Sequence, residues 1–133
     1  MTDKQNAVFH IAIPSANLDE SAAFYSDLGC RIARRYDDRV TLEFLGHQVV
    51  CHLSPDQIDA SPQMYPRHFG ITFTDEALFE HMLAMATERK LRFFKEPFVR
   101  FEGLPEEHRS FFVVDPSNNL LEFKYYRNPA MVF

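Results

Sequence analysis

His10 in the run Phe9-His10-Ile11-Ala12-Ile13, His68 in Arg67-His68-Phe69-Gly70-Ile71 and Glu122 in Leu120-Leu121-Glu122-Phe123-Lys124 each interrupt a stretch that otherwise reads as a buried strand. An ionisable side chain among apolar neighbours needs a partner, because leaving water unpaired is costly. Two imidazoles and one carboxylate make a facial donor set that suits a divalent transition metal and leaves positions open for other ligands. These residue types could therefore do metal-assisted chemistry on a small molecule, if the elements that carry them bring them together.

Those elements follow one pattern stated twice. Residues 7–13 alternate as a strand, Pro14 and Ser15 break it, and Asn17 to Leu28 carries Leu18, Ala22, Tyr25 and Leu28 at helical spacing before Gly29 closes the helix. Three short strands follow, at about 30–36, 39–45 and 47–53, with Asp37-Asp38 and Gly46 as turns. After a polar, proline-bearing linker at 54–66 the pattern restarts with a strand at 67–74 and a helix capped by Asp75 that runs to about 89, with Leu78, Phe79, Met82, Leu83 and Ala86 on one face. Strands near 91–95, 109–114 and 119–126 complete the second copy, which carries an inserted loop at 96–108 and ends in a tail at 128–133. The fold class is α+β. Two tandem βαβββ modules, about 7–53 and 67–127, form a single domain whose curved mixed sheet encloses a cavity.

Strand parity places the three residues in that cavity, since alternate residues share a face. His10 groups with Val8 and Ala12 against Phe9, Ile11 and Ile13; His68 groups with Gly70 and Thr72 against Phe69, Ile71 and Phe73. Glu122 groups with Leu120, Lys124 and Tyr126 against Leu121, Phe123 and Tyr125. The bulkier set of each strand suits packing under a helix, which leaves the other for a small-molecule pocket. Aligning the final strands of the two copies sets His52 opposite Glu122. His52 is thus a candidate fourth ligand or, unligated, the general base, because imidazole titrates near working pH. The pocket is expected to be lined by Thr72, Arg100, His108, Phe112 and Lys124, with the loop around Arg100, Glu102 and Gly103 covering its mouth.

Other residues read more plainly. His47 follows a turn and His81 falls on the exposed face of the second helix. Cys51 has the parity of the helix-packed face and reads as a small buried hydrophobe, while Glu43 either supports the cavity or is exposed. Formal net charge is −5 and the basic residues are scattered, so the stripe that a nucleic-acid backbone requires is absent. No apolar run approaches about 20 residues and Met1-Thr2-Asp3-Lys4-Gln5 opens polar, so neither a membrane span nor a signal peptide is expected. Two cysteines without a CxxC spacing fit a reduced, cytoplasmic setting.

With its doubled module, its residues His10, His68 and Glu122, and the ending Asp115-Pro116-Ser117-Asn118-Asn119-Leu120-Leu121-Glu122, the chain resembles the vicinal oxygen chelate superfamily. That group includes glyoxalase I, extradiol dioxygenases, and fosfomycin and bleomycin resistance proteins. The resemblance implies a metal that activates a substrate chelating through two adjacent oxygens, with His10, His68 and Glu122 as ligands. It also implies a homodimer in which ligands can come from two subunits. In the extradiol branch, a tyrosine and a glycine stand where this chain has Phe112 and Asn118, and His108 lies too close to Phe111 to match that branch's histidine. Glyoxalase I places a carboxylate on the fourth strand, where His52 aligns. The reading leans to iron(II) dioxygenase chemistry, with manganese, nickel, cobalt or zinc as other metals. A glyoxalase-like isomerase and a metal-free drug-binding protein are the alternatives.

Overall fold

The computed structural model describes residues 6–133, and the polar opening Met1–Gln5 lies outside them. The chain divides into two compact units. The first runs to Ala60 and includes Pro116–Asn118; the second holds Ser61–Asp115 and Asn119–Phe133. The division at Ala60 falls inside the linker expected at 54–66.

In the first unit, β1 (His10–Ser15) leads to α1 (Leu18–Asp27), β2 (Arg31–Arg35), β3 (Arg39–Phe44) and β4 (His47–Leu53). Asn17 caps α1 by accepting a hydrogen bond from Glu20 N at 3.0 Å, which satisfies one of the helix's open N–H groups. At the other end Gly29 takes φ +99°, and the amides of Gly29 and Cys30 bond back to Ser26 O and Tyr25 O. Only glycine adopts that left-handed turn without steric cost, so the helix stops there. The strands order as β1-β4-β3-β2, with β1 parallel to β4. Ile13, Val40, Leu42, Phe44, Val49 and Cys51 share the buried face with Phe24, Tyr25 and Leu28 of the helix segment.

The second unit repeats this order with β5 (Phe69–Phe73), α2 (Glu76–Glu88), β6 (Phe93–Arg100), β7 (His108–Val114) and β8 (Leu120–Tyr126). Asp75 caps α2 through Ala77 N at 2.9 Å. The strands order as β5-β8-β7-β6, and β5 runs parallel to β8. Phe73, Phe79, Phe111 and Phe123 pack ring against ring between the sheet and α2, with centroids 5.3–6.5 Å apart. Burying aromatic side chains supplies much of a small core's stabilisation, and edge-to-face contacts add to it.

The doubled βαβββ arrangement is as expected, with a four-stranded mixed sheet in each module. One expectation needs correction. The loop at 96–108 is shorter than its sequence implies, because β6 continues through Pro97 to Arg100. Proline reads as a strand breaker, yet β6 is an edge strand whose pairing with β7 slips between Phe93 and Lys95 and again between Lys95 and Phe98. An edge strand with such irregularities tolerates a residue that cannot donate a ladder hydrogen bond. The turn at Asp115-Pro116-Ser117-Asn118 is present, and Asn118 takes φ +63°, a conformation that glycine favours and asparagine tolerates.

Gly70 is the tightest point of the second sheet. It lies opposite Glu122 in the β5–β8 register, and a Cβ built there would sit 1.7 Å from the Glu122 carbonyl oxygen. Backbone cannot swing aside as a side chain can. Gly70→Ala is expected to cost roughly 3 kcal/mol, lowering Tm by about 10 °C in a thermal melt. A variant that melts within a degree or two of wild type would show that the two strands do not approach so closely.

Candidate metal centre

β8 and β5 position the second unit's two candidate ligands. Glu122 is buried on β8, and His68 stands just before β5, two residues from Gly70, the position paired with Glu122. His68 Nε2 lies 3.1 Å from Glu122 Oε1. The other carboxylate oxygen, Oε2, accepts a hydrogen bond from the fully buried Ser110 hydroxyl on β7 at 2.8 Å. The other ring nitrogen of His68, Nδ1, lies 2.6 Å from Met64 O. A carbonyl can only accept, so Nδ1 carries the hydrogen and Nε2 is the nitrogen with a free lone pair in the neutral ring.

Across this contact Nε2 either donates its own hydrogen to Oε1 or, in the neutral tautomer, presents a lone pair to it. A neutral imidazole nitrogen and a carboxylate oxygen 3.1 Å apart repel unless a positive centre, a proton or a metal ion, lies between them. Two donors each about 2.1 Å from one ion, at a right angle, are about 3.0 Å apart. The pair therefore fits a divalent ion. Its supporting bonds, from Nδ1 to a backbone carbonyl and from a hydroxyl to the carboxylate, are the kind that orient metal ligands.

In the first unit, His10 Nδ1 lies 2.6 Å from Gln48 Oε1, its register partner on β4. With Nδ1 donating to that amide oxygen, Nε2 of His10 also keeps a free lone pair. Among the described residues no three His, Cys, Asp or Glu side chains form a group that could hold a metal.

The register corrects the place given to His52. His10 and His68 occupy matching positions, so Ala12 matches Gly70, and the residue paired with Ala12 is Val50. Val50, not His52, is thus the first unit's counterpart of Glu122. His52 pairs with Pro14 and Arg39, is exposed, and stands four strand positions beyond the pairing of His10 with Gln48. At about 3.3 Å per residue that is some 13 Å, too far for the two rings to share an ion. The alignment slipped by two residues because His52 and Val50 have the same parity.

The residues expected to line a pocket share one face of the second sheet with Glu122. Thr72 pairs with Lys124, Lys124 with Ser110, Glu122 with Phe112, and Arg100 with His108, so all alternate in phase. Phe112 is fully buried with its ring edge-on to His68 at 5.3 Å. Arg100 donates to the Tyr65 hydroxyl, and the Tyr65 ring stands 5.6 Å from that of His68. His108 is buried beside Tyr126, with its Nδ1 3.0 Å from Glu106 O. It lies four β7 positions from the Phe112–Glu122 pairing, so it flanks the centre and does not join it. Glu43, whose role was open, is exposed and paired with Arg31 at 3.1 Å, and that guanidinium holds its carboxyl below the usual range.

Sequence reasoning passed over Ser110, Tyr65 and Met64. Ser110 had a signal, because it shares parity with Phe112 on the strand beside Glu122. The other two act through a backbone carbonyl and a loop approach, which leave no pattern in the chain.

The family pattern described as the Glyoxalase/Bleomycin resistance protein/Dioxygenase superfamily matches residues 7–123. A solved structure described as a glyoxalase/bleomycin resistance protein/dioxygenase from Alicyclobacillus acidocaldarius is 53% identical, with a TM-score of 0.95, covering 99% of this chain and 100% of that one. A lactoylglutathione lyase from Agrobacterium tumefaciens has the same fold at 14% identity and a TM-score of 0.69, covering 98% and 100%. So does a genomically encoded fosfomycin resistance protein from Listeria monocytogenes, at 15% and 0.73, covering 96% and 98%. The search of curated proteins gives no match.

The two cysteines are Cys30 and Cys51. Both are buried, and burial, followed by the nearby Cys51, pushes the Cys30 thiol up to about 12. At pH 8 such a thiol holds a thiolate fraction of roughly 10⁻⁴. A thiol-specific disulfide reagent at pH 8 is expected to leave Cys30 unmodified in the native protein and to label it once guanidinium unfolds the chain. Native labelling at the unfolded rate would contradict that burial.

Proposed function

Because the chain belongs to the Glyoxalase/Bleomycin resistance protein/Dioxygenase superfamily, we propose that it is an enzyme in which His68 and Glu122 hold a divalent metal. His10 is the third ligand, supplied by a second copy in a homodimer. The substrate is a small molecule that chelates through two adjacent oxygens. The observation that carries this reading is the contact of His68 Nε2 with Glu122 Oε1 at 3.1 Å, a separation that two ligands of one ion would have.

A bound ion supplies Lewis acidity and lowers the pKa of a coordinated hydroxyl. The chain's own residues prepare the place. Met64 O fixes the tautomer of His68 and turns Nε2 toward Glu122, while Ser110 holds Oε2 and leaves Oε1 to face the imidazole. Fixing both donors beforehand removes the cost of ordering them at binding. Phe112 and Tyr65 set aromatic edges against His68 and keep water from its flanks.

Val50 decides which chemistry this reading favours. The position that mirrors Glu122 in the first module carries no donor group, so a fourth protein ligand is not supplied there. A set of two histidines and one carboxylate leaves adjacent positions open, and iron(II) oxygenases use such a set. We therefore favour iron(II) and dioxygenase-type turnover over glyoxalase-type isomerisation, which draws on a carboxylate from the fourth strand.

Metal content distinguishes the proposal from a metal-free binder. Protein purified without chelators and reconstituted with iron(II) is expected to retain about one equivalent of metal per chain after gel filtration. His68→Ala and Glu122→Ala should retain little, and Ser110→Ala should weaken retention about 10- to 100-fold while keeping the fold. Equal, negligible metal in all four proteins after trials with iron, manganese, nickel, cobalt and zinc would end the enzyme reading.

A further inference from the structure

The two faces of the second sheet treat their cations differently. Opposite the Glu122 face, Arg109 reaches both Glu76, at 3.6 Å, and Glu80 of α2, and beyond the end of β8 Arg127 meets Glu107 at 3.3 Å. On the Glu122 face, Arg100 and Lys124 are each half-buried, and among the described residues neither forms an ion pair with a carboxylate. Arg100 donates to the Tyr65 hydroxyl and lies 4.9 Å from the Phe101 ring centroid. The Lys124 ammonium stands 5.4 Å from the centroid of the Tyr126 ring. Aromatic faces and a phenol compensate part of the lost hydration, yet they leave each positive charge whole.

Both charges flank the proposed centre. Lys124 follows Glu122 by two residues, so it shares the face about 6.7 Å further along the strand. It stands between Thr72 on β5 and Ser110 on β7. Arg100 reaches toward His68 through Tyr65, whose ring contacts both side chains. Half-buried, uncompensated charges on one face attract an anion more strongly than solvated ones, because screening by water is reduced. Resting on the metal reading of the same site, we propose that the substrate carries, beyond its two chelating oxygens, an anionic oxygen group of carboxylate type that Lys124 and Arg100 bind. The two residues then determine specificity and take no part in the reaction itself. Lys124 supplies a point charge near the metal ligands. Arg100, steadied by Tyr65, offers directional N–H donors.

Simple hydroxamates test this, since they chelate metals through adjacent oxygens and can be made with or without a distant charge. Isothermal titration calorimetry on the manganese-loaded protein would compare alkyl hydroxamates ending in methyl with those ending in carboxylate, at two, three and four methylenes. At the best length the carboxylate form is expected to bind about 10-fold tighter or more. Lys124→Met should reduce that preference, taken as the ratio of the two affinities in each protein, to about 2-fold, Lys124→Arg should restore most of it, and Arg100→Met should reduce it in part. Equal binding of the two series by wild type overturns the proposal and leaves the chelation reading standing. A preference that survives both methionine variants overturns the assignment to these residues. Hydroxamate binding that does not depend on metal in any protein overturns the chelation reading beneath it.

Discussion

The contact between His68 and Glu122 organises the second unit. His68 Nδ1 is committed to the Met64 carbonyl, so its Nε2 confronts the Glu122 carboxylate across 3.1 Å. Such a contact is favourable when a proton or a metal ion lies between its members, because a buried carboxylate needs a partner. Ser110 holds the far oxygen of Glu122 in place, so the carboxylate cannot simply turn away. The contact therefore calls for a positive centre, and the proposed divalent ion would supply it at ordinary ligand distances.

The rest of the second unit serves that contact. Gly70 lets β5 and β8 approach closely at the rung where Glu122 stands, two residues from His68. Strand alternation then separates the work of the sheet. Phe73, Phe111 and Phe123 turn toward α2 and form the core, whereas Thr72, Ser110, Phe112 and Lys124 take the face of Glu122. The doubled module repeats the backbone but not the chemistry. His10 and His68 match, while Glu122 is matched by Val50.

Much of this was legible in the chain, for physical reasons that differ by element. The βαβββ repeat was readable because half-buried strands alternate with period two and the helices announce themselves through Asn17, Asp75 and Gly29. The parity of Glu122, Thr72 and Lys124 followed from the same alternation. The true end of β6 was hidden by Pro97, whose usual meaning fails on an irregular edge strand. His52 was misplaced because parity fixes the face of a strand but not the register along it, and a slip of two residues preserves parity. The Met64 carbonyl and the Tyr65–Arg100 contact rest on backbone and loop geometry, which residue types do not encode.

The central proposal is that His68 and Glu122 hold a divalent ion. It is tested most directly by anomalous diffraction from crystals grown or soaked with manganese(II) or cobalt(II), measured on both sides of the metal's absorption edge. The account predicts an element-specific peak about 2.0–2.3 Å from both atoms, with the Ser110 and Met64 hydrogen bonds retained. No peak there at saturating metal, with the two side chains still in contact through a proton, would contradict it.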